Sequence, residues 1–242
     1  MIKRRSAIVL LIVVACLGAD TQPALHFLKP DSIDVIALLP DPPPARSHED
    51  QCELQQVLDQ QASRTPDEVG RARSEEKLSI FAFNNVLGDW FTEKNCPKTA
   101  ALFNDIESDS KFFSNSAKAH FNRARPYVAD SRVKSIFPTE TEGSYPSGHA
   151  TRGMLYALLL AEIFPDQREQ LIARGQQIGW DRVIAGVHYE SDLLAGRVLG
   201  KAIFKQLLAS EEFRKRLNEV KRELLTAQRA TLSAPASNSI PQ

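Results

Sequence analysis

Residues 150–164 (ATRGMLYALLLAEIF) constrain the fold of this chain more than any other stretch. Apart from Gly153 they predict one continuous helix, and Pro165 ends it because proline has no backbone N–H to donate. Tyr-Pro-Ser-Gly at 145–148, directly before this run, has the composition of a turn. The sequence therefore predicts a core helix that the chain enters through a tight turn.

The rest of the chain also favours helices over strands. No segment alternates polar and apolar residues with the period of a strand over a useful length. Thr65-Pro66-Asp67-Glu68 combines a capping box with proline at the first helical position. We therefore expect an all-α helical bundle with an extended N-terminal arm. The predicted helices cover residues 48–61, 65–76, 78–91, 97–109, 110–125, 150–164, 166–186, 193–209 and 210–230.

Composition allows one domain with tails. The 242 residues are 43% hydrophobic, which is enough for a sizeable core. Basic and acidic residues balance at 30 each, so no basic excess predicts nucleic-acid binding, and any preference for anions must be local to a site. We expect a signal peptide at 1–19, a proline-rich extended arm at 20–47, the all-α domain at 48–230 and a disordered tail at 231–242.

The N-terminus has the pattern of a secretory signal. A basic segment at 3–5 precedes the apolar segment 7–15, which is too short to span a bilayer comfortably. The sequence VVAC at 13–16 resembles a bacterial lipobox, in which Cys16 would be lipidated. Cleavage after Gly18 and a retained membrane anchor are the alternatives. We expect a periplasmic protein that contacts a membrane only through a lipid at Cys16, if that lipid is added.

The remaining cysteines form an even pair. If Cys16 serves in sorting, Cys52 and Cys96 remain in an oxidising compartment, where an even number of cysteines predicts a disulfide. Two independent buried thiols are the alternative interpretation.

The turn before residues 150–164 has the features of an anion-binding site. A helix N-terminus leaves backbone N–H groups unpaired and carries partial positive charge, which favours a phosphate-like anion beside Ser147, Gly148 and His149. Gly148 also lets the backbone approach a ligand closely. The alternative is an ordinary turn before a core helix.

Two further blocks carry charged side chains at regular spacing. Upstream, Lys118 and Arg125 are seven residues apart, so they share one face of a predicted helix that Pro126 ends. Downstream, Arg182 precedes His188, and Asp192 follows His188 at i+4. If that segment is helical, Asp192 can accept a hydrogen bond from the His188 Nδ1–H and fix the tautomer of the imidazole.

These blocks together suit phosphoryl transfer without a metal or another cofactor. Lys118, Arg125 and Arg182 can neutralise the charge of a transferring phosphoryl group in place of magnesium. The two histidines supply a nucleophile and a proton donor.

In this order and spacing, the three blocks resemble the signature of the type 2 phosphatidic acid phosphatase (PAP2) and vanadium haloperoxidase superfamily. More narrowly, GSYPSGH at 143–149, SAKAHFNRARP at 116–126 and the proline run LLPDPPP at 38–44 resemble bacterial class A non-specific acid phosphatases. The resemblance covers residues 38–197. It implies the helical bundle of that family and an acid phosphatase acting on small phosphomonoesters, such as nucleotides or sugar phosphates.

The resemblance also implies residue roles, although the sequence alone permits the two histidines to be exchanged. His188 would attack phosphorus and form a phosphohistidine, held by Asp192, while His149 would protonate the leaving alcohol and later activate water. The residues implied in holding the phosphoryl oxygens are Lys118, Arg125, Ser147, Gly148 and Arg182. Protonated His149 beside neutral His188 predicts best activity at mildly acidic pH.

Other positions are open. Glu142 and Tyr145 either line the leaving-group pocket or pack within the loop. The class usually has serine where this chain has Asp181, a carboxylate that is expected to weaken the positive field of Arg182. Tyr189 stands where the class commonly has tryptophan, and it is expected to reshape the rim of the pocket.

Three rival functions use the same residues. Vanadate resembles the phosphoryl transition state, so the site can be that of a vanadate-dependent haloperoxidase. A zinc site would draw on His120, His149, His188 and Asp192. A catalytically inactive, envelope-anchored binding protein is the third rival. Phosphotransfer to an alcohol is a variant of the main mechanism, and a homo-oligomer is an open expectation.

Overall fold

The fold is that of a computed structural model, which describes residues 23–233. Within this range every regular element is a helix, so the all-α prediction is confirmed. Two short 3₁₀ helices cover Ile80–Phe83 and Pro165–Gln167. The α-helices are α1 Val35–Leu38, α2 His48–Ser63, α3 Pro66–Ser74, α4 Asn84–Leu87, α5 Pro97–Phe121, α6 Pro126–Ala129, α7 Gly148–Ile163, α8 Arg168–Ile184, α9 Glu190–Ala209 and α10 Glu211–Ser233.

Helix α7, which the first sequence pattern predicted, lies at the centre and is buried from Ala150 to Ile163 except at Glu162. Its neighbours α8 and α9 approach at backbone distance. A Cβ on Gly153 would lie 2.6 Å from the carbonyl oxygen of Gly175 in α8, and a Cβ on Gly200 of α9 would lie 2.5 Å from that of Thr151. Glycine is therefore required where these three helices touch.

Helix α5 is one helix where two were predicted. No proline or glycine interrupts it between Pro97 and Phe121, and it ends at Asn122, whose left-handed conformation (φ 42°) stops the helix. At its start the carboxylate of Glu223 in α10 accepts hydrogen bonds from the N–H groups of Lys98 and Thr99, both at 2.9 Å. Helix α10 thus caps α5.

Residues 78–91 depart from the helical prediction. The chain forms only a 3₁₀ turn and the short α4 before Gly88, whose φ of 105° ends the helix. The side chains of Phe83, Trp90 and Phe91 are buried in the core all the same. Burial of these aromatic groups does not need a regular helix. Upstream, the capping box of α3 is confirmed, with Thr65 N donating to Glu68 at 2.8 Å.

The described part of the N-terminal arm packs on the bundle. The N–H groups of His26, Phe27 and Leu28 donate to the buried carboxylate of Asp109 at 2.6–3.1 Å. The arm contains α1, so it is not extended throughout. The predicted signal peptide with Cys16 lies outside the described residues, as does most of the predicted tail. No helix within 23–233 is long and apolar enough to cross a membrane.

The predicted disulfide between Cys52 and Cys96 is wrong, because both thiols are free. Cys52 is exposed on α2, with its Sγ 3.7 Å from Nε2 of His48. Cys96 is fully buried in the main hydrophobic core, directly before α5. Burial also raises the pKa of the Cys96 thiol to about 11. An even number of cysteines does not by itself bring two sulfur atoms together.

Candidate active site

The three sequence blocks meet at one cavity of about 410 Å³. The C-terminal half of α5, the start of α7, the end of α8 and the segment before α9 form its walls, and the loop 137–142 lies at its side. The predicted site residues that line it are Lys118, Arg125, Glu142, Gly148, His149, Arg182 and His188.

The turn before α7 places a helix N-terminus at the cavity. Ser147 is buried and acts as the N-cap, its side chain accepting from Ala150 N at 3.3 Å. Ser147 N donates to the carbonyl of Asp192 at 3.0 Å, which joins the second block to the third. Ser147 is not in the cavity wall, whereas the N–H groups of Gly148 and His149 have no partner within 23–233. These two groups are free to bind an anion.

His188 is held by Asp192 through a cap rather than through a helical turn. Helix α9 begins at Glu190, one position after Tyr189. The Asp192 carboxylate accepts from Tyr189 N at 3.0 Å and from His188 Nδ1 at 3.1 Å. Because a guanidinium only donates, the 3.4 Å contact from Arg125 Nη1 identifies His188 Nε2 as the acceptor nitrogen. The lone pair of His188 is therefore on Nε2, in the cavity.

Both members of this pair have shifted pKa values. Burial lowers the pKa of His188 to about 4, although the hydrogen bond that His188 donates to Asp192 opposes the shift. Burial alone would raise the pKa of Asp192, but the contact with His188 and the charge of Arg123 outweigh it and hold that pKa below its usual value. At neutral pH the pair is a neutral imidazole beside a carboxylate.

Arg123 holds Asp192 in turn, and the sequence interpretation assigned it no role. Its Nη1 donates to Asp192 Oδ1 at 2.9 Å, and its Nη2 donates to Asp50 at 3.0 Å and to Glu53 at 2.8 Å. The guanidinium lies 3.9 Å over the ring of Tyr189. In the sequence, the only indication of a role for Arg123 was its place in the RxRP pattern of the first block.

Lys118 and Arg125 reach the same cavity by a different route from the one predicted. They do not share a helix face, because α5 ends at Phe121 and Arg125 is the N-cap of α6. The left-handed turn at Asn122 redirects the chain, and both residues line the cavity, although the helical reason given for this was wrong.

Carboxylates of the loop 137–142 contact both cations. Arg125 Nη2 forms a close ion pair with Glu140, and its Nη1 donates to the carbonyl of Val187 at 3.1 Å. Lys118 Nζ lies 3.7 Å from a carboxylate oxygen of Glu142, which is 57% exposed. These carboxylates face the cations that an anionic ligand would contact.

Arg182 donates from Nη2 to the carbonyl of Ala72 at 2.7 Å, and its buried Nε has no partner within 23–233. Its neighbour Asp181 does not line the cavity. Asp181 instead accepts two hydrogen bonds from Arg71, at 2.8 and 2.9 Å. The Asp181 side chain thus pairs with Arg71, and within 23–233 it forms no hydrogen bond with the guanidinium of Arg182.

His149 lines the cavity, and its imidazole is neutral at neutral pH. Its Nε2 is 2.9 Å from the carbonyl of Glu75, which can only accept, so Nε2 carries the proton. Burial first, and then the charges of Arg182 and Arg152, lower the pKa of His149 well below its usual range. Nδ1 is the nitrogen that remains for a ligand.

Two aromatic residues lie away from the cavity lining. Tyr145 is buried, donates its hydroxyl to the carbonyl of Pro40 at 2.6 Å and packs edge-on against Phe121. Tyr189 packs beneath Arg123 and does not reshape the rim of this cavity. Of the two candidate pocket residues, only Glu142 is in the wall.

Several charged residues of the wall carried no signal in the blocks. They are Glu76, Lys111, Glu140 and Arg152. With Lys118, Arg125 and Arg182, the wall has five cations and three carboxylates. Within 23–233 no group of three or more His, Cys, Asp or Glu side chains is arranged to hold a metal ion. The arrangement favours a tetrahedral anion beside His188.

Sequence comparison relates this chain to known phosphatases. Residues 99–216 match the model of the PAP2 superfamily. A non-specific acid phosphatase of Providencia stuartii is 33% identical over 216 residues, which cover 84% of this chain and 86% of the relative. One of Salmonella typhimurium is 35% identical over 147 residues, 59% of each chain.

A solved structure shares the fold. The crystal structure of a bacterial vanadium-dependent iodoperoxidase superposes with a TM-score of 0.55 at 18% identity, covering 78% of this chain and 59% of the other. At that identity the likeness concerns the fold alone. From the matched family and the long alignment with the Providencia relative, the chain belongs to the PAP2 superfamily and, within it, to the family of non-specific acid phosphatases.

Proposed function

We propose that this phosphatase hydrolyses small phosphate monoesters through a phosphohistidine on His188. One observation carries the proposal: Nε2 of His188, fixed by Asp192 at Nδ1, opens into a cavity with free N–H groups at the start of α7 and three cations from the predicted blocks. A nucleophile with a fixed lone pair beside preorganised positive charge is what phosphoryl transfer requires.

In the first step Nε2 of His188 attacks phosphorus in line, and the bond from phosphorus to the leaving oxygen breaks. Protonated His149 donates its proton to that oxygen. Lys118, Arg125 and Arg182 stabilise the equatorial oxygens together with the N–H groups of Gly148 and His149. Asp192 stabilises the charge that forms on the His188 imidazole.

In the second step neutral His149 takes a proton from water, and the water oxygen attacks phosphorus. The bond from phosphorus to His188 Nε2 breaks, and phosphate leaves. The cycle needs a protonated His149, whereas burial and the nearby cations keep the pKa of this histidine well below its usual range. We infer that a bound phosphate dianion raises the pKa of His149, so substrate binding is accompanied by proton uptake.

The setting of the reaction is part of the proposal. The signal pattern of residues 1–19 supports export to the periplasm, with lipidation of Cys16 as one route of attachment. An alcohol in place of water gives phosphotransfer by the same second step. Nucleotides and sugar phosphates are the proposed substrates, in keeping with relatives named non-specific acid phosphatases.

The test is hydrolysis of p-nitrophenyl phosphate between pH 4 and 8 in EDTA, with His188→Ala as the variant. Metal-independent activity at acidic pH that the variant lacks is expected. Rapid denaturation of the wild type at alkaline pH during turnover should trap a phosphoryl group on His188, detected by mass spectrometry and lost on later treatment with acid. Turnover that requires an added metal ion would contradict the mechanism. Halide oxidation with peroxide and vanadate, without phosphatase activity, would favour the haloperoxidase alternative.

A further inference from the structure

Arg152 is a buried cation of the cavity wall to which the mechanism gives no task. It lies one helical turn after Gly148 on α7, and 7% of its surface is exposed. It lines the catalytic cavity and also a second cavity of about 440 Å³. Glu76, Lys111 and Arg152 line both, so Arg152 stands where the two cavities meet.

The guanidinium of Arg152 has no hydrogen bond to any residue in 23–233, and its Nε is buried without a partner. The nearest carboxylate oxygen, from Glu107, is 4.0 Å from Nε, and Glu107 already pairs with Lys111 at 2.9 Å. One carboxylate therefore serves two cations. Burial of an incompletely paired charge is unfavourable, and an anionic ligand offsets that cost.

The position of Arg152 separates its task from that of the catalytic cations. Its Nη1 lies 3.6 Å from where a Cβ on Gly148 would be, while its Nε faces Glu107. On α5, Glu107 precedes Lys118 by eleven residues, or about 16 Å along the helix axis. Arg152 thus extends from the anion-binding turn toward the end of the cavity that lies away from Lys118.

The charges around the second cavity leave a positive excess. Its lining contains three cations, Lys77, Lys111 and Arg152, and two carboxylates, Glu76 and Glu107. A leaving group that extends from His188 into this space passes the junction lined by Glu76, Lys111 and Arg152. A second anionic group on the leaving group would complete the pairing of Arg152.

We propose that Arg152, with Lys111, forms a second anion-binding subsite, and that the enzyme prefers phosphomonoesters whose leaving group carries a second phosphate a few atoms away. The inference rests on the proposed phosphatase function and adds a substrate class to it. The first phosphate lies at His188, and the second contacts Arg152 where the two cavities join.

The test compares propane-1,3-diyl bisphosphate with 3-hydroxypropyl phosphate, which differ only in the second phosphate. Wild-type kcat/KM should be at least about 10-fold higher for the bisphosphate, the order expected for a charge-assisted hydrogen bond. In Arg152→Gln the ratio should fall to about two, the statistical factor for two equivalent phosphates; the ratio is compared because loss of this charge near His149 acts on the turnover of both substrates. Arg152→Lys should keep part of the preference.

A matched control removes one positive charge elsewhere. Lys215→Gln, on the exposed face of α10, should leave the ratio at its wild-type value. Wild-type turnover of the monophosphate with a ratio of two or less would overturn the subsite and leave the proposed function standing. An equal loss for both substrates in Arg152→Gln would also overturn it, since Arg152 would then serve the reacting phosphate or the shape of the cavity.

Equilibrium binding tests the subsite without turnover. Calorimetry on His188→Ala should show tighter binding of the bisphosphate than of the monophosphate, and His188→Ala/Arg152→Gln should lose that difference. Equal affinities in His188→Ala would refute the subsite. A folded wild type that binds the bisphosphate more tightly but hydrolyses neither compound would refute the phosphatase mechanism alone.

Discussion

The two sides of the cavity differ in how their charges are paired. On the side of His188, the charged groups pair with one another: Asp192 holds the imidazole, Arg123 holds Asp192, and Asp50 and Glu53 hold the two terminal nitrogens of Arg123, whose Nε has no partner within 23–233. On the opposite side, the one partner within 23–233 is a carboxylate at 3.7 Å for Lys118 and a carboxylate at 4.0 Å for Arg152. The proposed nucleophile is thus held in place by the protein itself, whereas Lys118 and Arg152 are incompletely paired.

The difference follows from what each side must do. A nucleophile needs a fixed tautomer and direction, which second contacts supply. Cations that recognise an anion gain more from the ligand when the protein does not already satisfy them. Substitutions on the side of His188 should therefore have larger effects on activity and stability than substitutions on the opposite side.

The largest effect is expected from Asp192→Asn. The amide cannot stabilise the charge that forms on His188, and we expect kcat to fall by about 10³-fold or more, as when an orienting aspartate is neutralised in other histidine sites. The carboxylate also opposes the low pKa of His188, so the acidic limb of kcat/KM should move to lower pH. The pH–rate profile measures both. A variant with wild-type kcat would show that Asp192 has only a structural role.

Arg123→Gln should come next. It leaves Asp192, Asp50 and Glu53 without their shared cation in a largely buried site, and loss of one partner of a buried ion pair costs about 3–5 kcal/mol. The free energy of unfolding in urea measures the loss. Arg132→Gln is the control, because Arg132 is 67% exposed and pairs only with Asp130. A surface pair of this kind contributes at most about 1 kcal/mol.

The neutral state of His188 makes stability depend on pH. From pH 6.5 down to about 4, the unfolded chain binds a proton at this residue that the folded chain does not, so stability falls as the pH falls through that window. The slope from one such group is at most about 1.4 kcal/mol per pH unit. Urea unfolding at several pH values should give a smaller slope for His188→Asn than for the wild type. Equal slopes would mean that the imidazole titrates normally in the fold.

The smallest effect is expected on the ligand-binding side, from Glu140→Gln. This half-exposed carboxylate pairs with Arg125, and a phosphate that binds Arg125 competes with it. Removal of the competing charge should lower the inhibition constant of inorganic phosphate by about 2–5-fold, the range of an exposed ion pair. Glu93→Gln is the matched control, because Glu93 is exposed and does not line this cavity. Weaker phosphate inhibition in Glu140→Gln would show that Glu140 helps to hold the ligand.

The sequence predicted the long helices well where apolar periodicity, proline and glycine agree, as in α7, α9 and α10. It failed at residues 78–91, where buried aromatic residues pack without a regular helix. It also divided α5 in two, although no helix-breaking residue lies between Pro97 and Phe121. Local propensity identifies an apolar segment, but tertiary packing decides its conformation.

The three blocks could be recognised in the sequence because each is a short pattern with its own chemistry, and residues of all three line one cavity. The partners of Arg123 were not, since Glu53 lies 70 residues earlier in the chain and only the fold brings it near. The surroundings of Tyr145 and of the two cysteines were not predictable for the same reason, because contacts between distant segments determine them. Arg152 matched no block, and its role depends on a space that only the packed helices define.

The glycine contacts between α7 and its neighbours have a consequence for how such an enzyme changes over time. Gly153 packs against Gly175, and Gly196 packs against the carbonyl of Ser147. Contacts between backbone atoms, rather than between side chains, therefore set the position of α7 relative to α8 and α9. The residue at position 152 can therefore be exchanged without shifting the turn that binds the phosphoryl group. The range of substrates can therefore change during evolution while the groups around the reacting phosphate keep their positions.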